Sequence, residues 1–221
     1  MKEAYFTPAS IKEQAARMLN PLTRFREHRK WLIQSDKSAL LVLDMQNYFL
    51  EPSSHAYIPS APAILLNINL LIDSYAKLGL PIIFTRHLNT PEDSRMMGNW
   101  WREVITADKA SSQISTVLDT TRGIVIEKSQ YDAFYETNLS EILAELAVQQ
   151  VVVCGVMTHL CCETTARSAF MHGFEVFFSV DGTATYNLEF HQASLLNLAH
   201  GFAVPVLGEE VLAAIGRMNE G

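Results

Sequence analysis

Three side chains of different chemistry stand directly after short apolar runs: Asp44 closes ALLVLD, Lys128 closes GIVIEK, and Cys161 follows VVVCG across a short turn. A thiol attacks as its thiolate, and its pKa falls beside a cation or at a helix N-terminus. Lys128 would supply the positive charge, and a helix beginning near Cys161 would supply its positive dipole end. Asp44 would take the thiol proton and hand it to a leaving nitrogen. A carboxylate beside Lys128 has its charge stabilised, so burial must offset that effect if Asp44 is to act as a base near neutral pH. Backbone N–H groups of the turn from Met157 to Cys161 are natural donors to a developing oxyanion. Each residue also has a plain structural reading: a strand-end Asp caps the next helix, a Lys sits solvated in a loop, and a Cys packs as a small hydrophobe, as Cys154 in VVVCG is read. The joint placement favours chemistry.

The elements that must position these groups are legible as runs and periods. Ala39–Asp44, Pro81–Arg86, Gly123–Lys128, Val151–Gly155, Glu175–Val180 and Ala203–Leu207 are continuously apolar rather than alternating. Such strands belong to a parallel sheet covered on both faces. Between them, Ala61–Leu78, Asn138–Ala147, Thr164–His172, Leu188–Ala199 and Glu209–Ile215 carry helical spacing, with Pro62 near one start and Gly79, Gly173 and Gly216 just past ends. The alternation predicts right-handed crossovers and an α/β fold, a three-layer sandwich around a Rossmann-like open sheet. In such sheets ligands bind at the carboxyl ends of the strands, where the three reactive groups fall. Residues 1–38 form an N-terminal extension with a helix expected over Ser10–Leu19, and 39–221 form a single domain. Asn89–Ser115, with Trp100 and Trp101 in polar surroundings, reads as an insertion or lid.

Composition narrows the partners. The 221 residues are 48% hydrophobic, enough for one substantial core. A formal net charge of −7 disfavours nucleic acid, which needs clustered Lys and Arg; the short basic stretch from Arg24 to Lys30 reads as a solvated helix face. No window is long and apolar enough to span a bilayer, and Met1–Asn20 has no signal-like apolar core. Three cysteines cannot form a full disulfide framework and suit a reducing compartment, so the cytoplasm is expected.

LLVLDMQNYF, VIEKSQYDAF, GVMTHLCCETTARSAFMHGFEV and VDGTAT, in that order, resemble the isochorismatase-like hydrolase superfamily, the cysteine hydrolases. The resemblance spans about Ala39 to Leu207. It implies a six-stranded parallel sheet flanked by helices and an Asp, Lys, Cys triad that maps onto Asp44, Lys128 and Cys161. It also implies a non-proline cis peptide between Val156 and Met157, so that Val156, Met157 and Thr158 shape the oxyanion turn, and homo-oligomers, dimers or tetramers.

Two branches of the superfamily differ at one position. Amide-cleaving members carry a Cys where this chain has Cys161, whereas isochorismatases, which hydrolyse a vinyl ether to pyruvate, have a small residue there. His159, Cys162, Asn47-Tyr48-Phe49 and the long N-terminal lead-in resemble the isochorismatase side. The expected function is cleavage of a C–N bond, amide or ureido, in a small molecule through a Cys161 acyl-enzyme. The alternatives are vinyl-ether hydrolysis with Asp44 as general acid, or a silent binding module. Nicotinamidases share an Asp-x-His metal motif with a further His; Asp-x-His is absent here and His87 stands alone, so no metal and no cofactor is expected. His55, His87 and His159 read as pocket or surface groups. Adjacent Cys161 and Cys162 would point ~100° apart on a helix, against a redox pair. Phe49, Trp100, Trp101, Tyr131 and Phe134 are candidates for a pocket wall or for core packing. Arg86, His87 and His159 are candidates to meet substrate, and Asp181 and Thr183 to support the site.

Overall fold

A computed structural model of the chain describes residues 1–29 and 31–216; Lys30, the end of the basic stretch, lies outside them. Its centre is a six-stranded, all-parallel sheet in the order β3-β2-β1-β4-β5-β6, with β1 Ser38–Leu43, β2 Ile82–His87, β3 Ile124–Lys128, β4 Gln150–Val156, β5 Glu175–Ala184 and β6 Val204–Val206. Helices α1 Ile11–Leu19, α2 Thr23–Glu27, α3 Asn47–Leu50, α4 Ala61–Lys77, α5 Met97–Trp100, α6 Leu139–Glu145, α7 Glu163–Met171, α8 Leu188–Gly201 and α9 Gly208–Gly216 surround it. Each predicted strand and helix is present, with ends displaced by a few residues.

The helices cover the strands because the strands are apolar on both sides. Every residue of β1 and β4 is buried. The apolar stripe of α4 (Ile64, Ile68, Leu71, Ile72, Tyr75) is fully buried on β1, β4 and β5, and the Tyr75 hydroxyl meets Ser38 Oγ at 2.9 Å. Helices α1, α4 and α9 lie together, with Lys12 paired to Glu209, while α8 packs on α7 and β6. Among the described residues no helix is long and apolar enough to cross a membrane.

Two strands depart from the expectation. β3 is an edge, and Ile124, Val125 and Glu127 are exposed, so the two-face burial inferred from its apolar run does not hold there. β5 runs four residues past Val180, because a bulge lets it rejoin β4: Val153 pairs with Phe178 and Gly155 with Thr183. Asp181 therefore sits within the strand. Its Oδ1 accepts the N–H of Gly208 at the start of α9, so it caps that helix and does not support the reactive cluster. Thr183 likewise turns to the carbonyl of Ser179.

The order reverses between β1 and β4: from β1 the chain builds outward through β2 and β3, then returns to the other side. The crevice at such a reversal is where open α/β sheets bind ligands. Gly155 makes the two central strands close tightly there. Its φ is +115°, and a Cβ would stand 2.1 Å from the Leu43 carbonyl oxygen and 2.6 Å from the Leu43 nitrogen, one residue before Asp44. Gly173 also has a positive φ, +92°, but open space around it. Gly155→Ala should lower the thermal midpoint by about 10 °C or more, from strain plus overpacking against backbone, and Gly173→Ala by about 3 °C. Equal shifts in a thermal melt would show that the β1–β4 approach is not the constraint.

Candidate active site

Asp44 leaves β1 in the left-handed region, φ 51°, a conformation that Asp tolerates better than most residues. Thr85 on β2 holds it there. The Asp44 backbone N–H donates to Thr85 Oγ1 at 3.1 Å, and the Thr85 hydroxyl donates to Asp44 Oδ1 at 2.5 Å. Oδ2 faces Lys128 Nζ at 2.8 Å, with both side chains wholly buried. The contact is ionic rather than an aligned hydrogen bond, so Oδ2 keeps a lone pair free.

Lys128, at the end of β3, reaches across β2. Its ammonium donates to the Gln130 carbonyl at 2.9 Å and to Cys161 Sγ at 3.5 Å, and lies 3.4 Å from His87 Nδ1. The structure thus brings together Asp44, Lys128 and Cys161, the three groups singled out at the strand ends. Burial, the largest single effect, pushes the Lys128 pKa down and the Asp44 pKa up, but it is outweighed by the neighbours together: the Asp44 and Cys161 charges and hydrogen bonds for Lys128, the Lys128 and His87 charges and hydrogen bonds for Asp44. Asp44 is held below and Lys128 above its ordinary value, and the resting pair is ionic.

Cys161 behaves differently from the expectation. Burial, then the Asp44 carboxylate, push its thiol pKa up, and Lys128 offsets this only in part. The expected lowering therefore does not occur at rest, and the proton stays on sulfur. Cys161 sits in a wide helical turn, Thr158–Cys162, that opens into α7; the peptide before it, between Val156 and Met157, is cis. Cys162 is fully buried away from the cavity, and Cys154 packs inside β4 against the Leu41 carbonyl.

A small cavity of about 70 Å³ opens above Cys161. Of the predicted pocket residues, Phe49, His87, Trp101 and Tyr131 line it, the last two joined by Trp101 Nε1 donating to the Tyr131 hydroxyl at 2.7 Å. Met157 and Leu160 from the turn complete the floor. His87 is neutral: burial, then the Lys128 charge, lower its pKa to about 4. Its Nε2–H donates to Asn89 Oδ1 at 3.0 Å, which leaves Nδ1 as an acceptor facing Lys128.

Four predicted residues lie elsewhere. Arg86 alternates to the opposite side of β2 from its neighbour His87, and its guanidinium is spent on Ser112 (3.0 and 2.7 Å) and Glu127 (3.2 Å). Phe134 stacks between His172 and Phe174 in the core. His159 points out of the cavity, bonded to Thr185 Oγ1 at 2.6 Å and stacked on Phe190. Trp100 is 75% exposed. Conversely, Tyr48, His55, Asn89, Glu103 and Tyr186 line the cavity without having been singled out, apart from the reading of His55 as a pocket or surface group. His55 Nδ1 lies 3.1 Å from Glu103 Oε1, and its Nε2 lies 3.2 Å from the Tyr48 hydroxyl. A hydrogen bond from Lys109 helps hold Glu103 below the usual carboxylate range. The stretch Asn89–Ser115 does border the cavity, through Asn89, Trp101 and Glu103.

Asp44, His87 and Cys161 place donor atoms within 4.8 Å of one another, a spacing that could suit a metal ion. The ammonium of Lys128 already occupies that niche, 2.8 Å from the carboxylate, and a second cation there would be repelled. The donor set does not fit a resident metal.

Comparison with known proteins agrees with this geometry. Nicotinamidase 3 of Arabidopsis thaliana is 43% identical over 193 residues, covering 84% of this chain and 92% of that protein. Isochorismatase of Bacillus subtilis is 29% identical over 185 residues, covering 82% of this chain and 59% of the longer relative. The solved structure of a cysteine hydrolase from Pseudomonas syringae superposes with a TM-score of 0.81 at 23% identity, covering 85% of this chain and 96% of its own. Residues 38–210 match the Isochorismatase domain, and with an all-parallel sheet carrying a buried Cys, Asp and Lys at its switch point, the chain belongs to the isochorismatase family of hydrolases.

Proposed function

We propose that this enzyme hydrolyses the C–N bond of a small, uncharged carboxamide, nicotinamide being the first candidate, through a thioester on Cys161. The observation that carries the reading is the single buried contact set in which Lys128 touches both Asp44 and Cys161 beneath an apolar, aromatic cavity. As Sγ attacks the amide carbon, its proton passes to Asp44 Oδ2, and the charge this removes from the carboxylate reappears on the substrate oxygen. Backbone N–H groups of the Met157–Cys161 turn meet that oxygen. Collapse breaks the C–N bond, and Asp44 returns the proton to nitrogen as ammonia leaves. Water then adds to the thioester, with Asp44 taking its proton, and the C–S bond breaks to give the acid and the free thiol. Because the resting thiol is protonated, proton transfer and attack occur together, and Lys128 keeps a positive charge beside each negative group that forms.

Nicotinamide suits the cavity in kind: Phe49, Tyr48, Trp101 and Tyr131 offer ring faces, and His55, Asn89 and Glu103 offer polar atoms at its margin. The vinyl-ether reading is less well served. Among the described residues no Lys or Arg lines the cavity to meet a dicarboxylate, Glu103 does line it, and Asp44 is held ionised where that reaction needs an acid. We also propose that the enzyme is cytoplasmic and a homo-oligomer; a native-mass measurement on the purified protein reads the oligomeric state.

Two outcomes follow. Cys161→Ala should lower ammonia release from nicotinamide by about 10³-fold or more, with Asp44→Asn similarly inactive; undiminished ammonia release by Cys161→Ala, or pyruvate formation from isochorismate that survives it, would overturn the thioester. The pH profile has a sign fixed by the site. Activity needs Asp44 ionised and Lys128 protonated; the first pKa is shifted down and the second up, so both limbs move away from neutrality. Steady-state kcat/KM should therefore be flat from about pH 5.5 to about 9. A limb between about pH 6 and 7, where an ordinary imidazole titrates, would instead implicate a histidine base.

A further inference from the structure

The N-terminal extension precedes the family-matching residues 38–210, yet its first residues are seated against the site. Phe6 is buried and its N–H donates to Ser60 Oγ at 3.1 Å; Glu3 N–H donates to the Tyr186 carbonyl at 2.8 Å, and Glu3 Oε1 accepts the N–H of Leu188 at 2.7 Å. Lys2 hydrogen-bonds the His55 carbonyl and lies 4.4 Å from the centre of the Tyr186 ring. His55 and Tyr186 both line the cavity, so one side chain ties its two walls.

The Tyr5 hydroxyl goes deeper. It accepts the N–H of Thr185 at 2.9 Å, just past β5, and is hydrogen-bonded to Nδ1 of the fully buried His191 on α8 at 3.1 Å. The same His191 Nδ1 lies 3.0 Å from Thr158 Oγ1, and Thr185 Oγ1 lies 2.6 Å from His159 Nδ1. Two routes therefore run from one hydroxyl into the turn that bears Cys161, ending three and two residues before it. Burial drives the His191 pKa down to about 3 and the Tyr5 pKa up, so both are neutral and the links are permanent hydrogen bonds rather than a switch.

We propose that Tyr5 is a positioning residue: its hydroxyl, acting through His191 and Thr185, fixes the Thr158–Cys162 turn so that Cys161 Sγ stays aligned with Lys128 and Asp44. The idea rests on the reading of Cys161 as nucleophile. It makes the extension a working part of the site.

The test uses the full chain with Tyr5→Phe, which keeps the ring packed on Phe6 and His191 and removes only the hydroxyl. Ammonia release from nicotinamide should show kcat lowered about tenfold with KM within about twofold. The rate of Cys161 alkylation by iodoacetamide at pH 7, mapped by mass spectrometry, should fall as well; this readout needs no substrate. Thr158→Val, which cuts the His191 route, should lower both rates in the same direction, and Thr158→Ser, which keeps the hydroxyl, should lower them less. The double variant Tyr5→Phe, Thr158→Val should be no worse than Tyr5→Phe alone, because Thr158→Val cuts one of the two routes that Tyr5→Phe already removes. Wild-type kcat and alkylation rate in Tyr5→Phe, or losses that simply multiply in the double variant, would overturn the proposal, as would a lowered melting temperature with both rates unchanged. An active Cys161→Ala enzyme would instead sink the nucleophile reading itself, whatever Tyr5→Phe does.

Discussion

Everything at the switch point is arranged around one buried charge, the Lys128 ammonium. Taking an ammonium and a carboxylate out of water costs several kcal/mol per ion, and the pair recovers this only if the remaining donors and acceptors are met. Here they are. Nζ has Asp44 Oδ2, the Gln130 carbonyl, His87 Nδ1 and Cys161 Sγ around it, and Asp44 Oδ1 has Thr85. An apolar pair of similar volume would serve folding as well or better. The ion pair is therefore better understood as chemistry that the fold supports than as a source of stability.

That support accounts for features that otherwise look unrelated. Lys128 comes from an edge strand separated from β4 by β1 and β2, so to reach Cys161 its side chain must pass Asp44 at the end of β1 and, before that, cross the end of β2. The residues there are accordingly a hydroxyl, Thr85, and a neutral imidazole, His87, neither of which adds a competing charge. His87 is kept uncharged by burial and then by the ammonium it faces, while Gln46 fixes the backbone of His87 from both sides, accepting its N–H at 2.8 Å and donating to its carbonyl at 3.0 Å. Gly155 lets β1 and β4 close, Asp44 takes a left-handed backbone to turn its carboxylate inward, and the wide turn after Met157 delivers Sγ. Each is a local departure from regular structure at the site, where such departures are commonly stored.

The sheet and the reactive cluster were legible because their signals are local. A continuous apolar run identifies a buried strand, and a reactive residue at its carboxyl end is placed by topology alone. The pocket wall was not legible for the opposite reason. Tyr48, Asn89, Glu103 and Tyr186 come from three separate strand-to-strand connections, and nothing in their neighbourhoods distinguishes a cavity-facing side chain from a solvated one. Arg86 and His87 show how fine the margin is: adjacent in sequence, they part company because side chains alternate across a strand. Alternation, counted back from Lys128 or from Thr85, would have separated them. Asp181 failed on a different signal, since the apolar run ends at Val180 while the strand continues through a bulge to Ala184. The thiol's proton was misjudged because burial, which no residue pattern quantifies, outweighs a cation at 3.5 Å.

A protonated thiol beside an ionised base is a resting arrangement that disfavours stray chemistry. A standing thiolate in a cavity open to solvent would oxidise or alkylate. In the proposed thioester route, with the proton on sulfur and the negative charge on Asp44, the nucleophile is generated only when a carbonyl carbon is in reach to share the charge. On the proposed reaction the same electrostatics act at the other end of the cycle. A neutral carboxamide enters without disturbing the ion pair, but the acid it becomes is anionic, in a cavity lined by Glu103 and, among the described residues, by no Lys or Arg. Lys128 is already paired with Asp44 once the proton returns to sulfur, and Lys109 with Glu103. The change in charge that defines the reaction thus also turns a ligand the cavity accepts into one it repels.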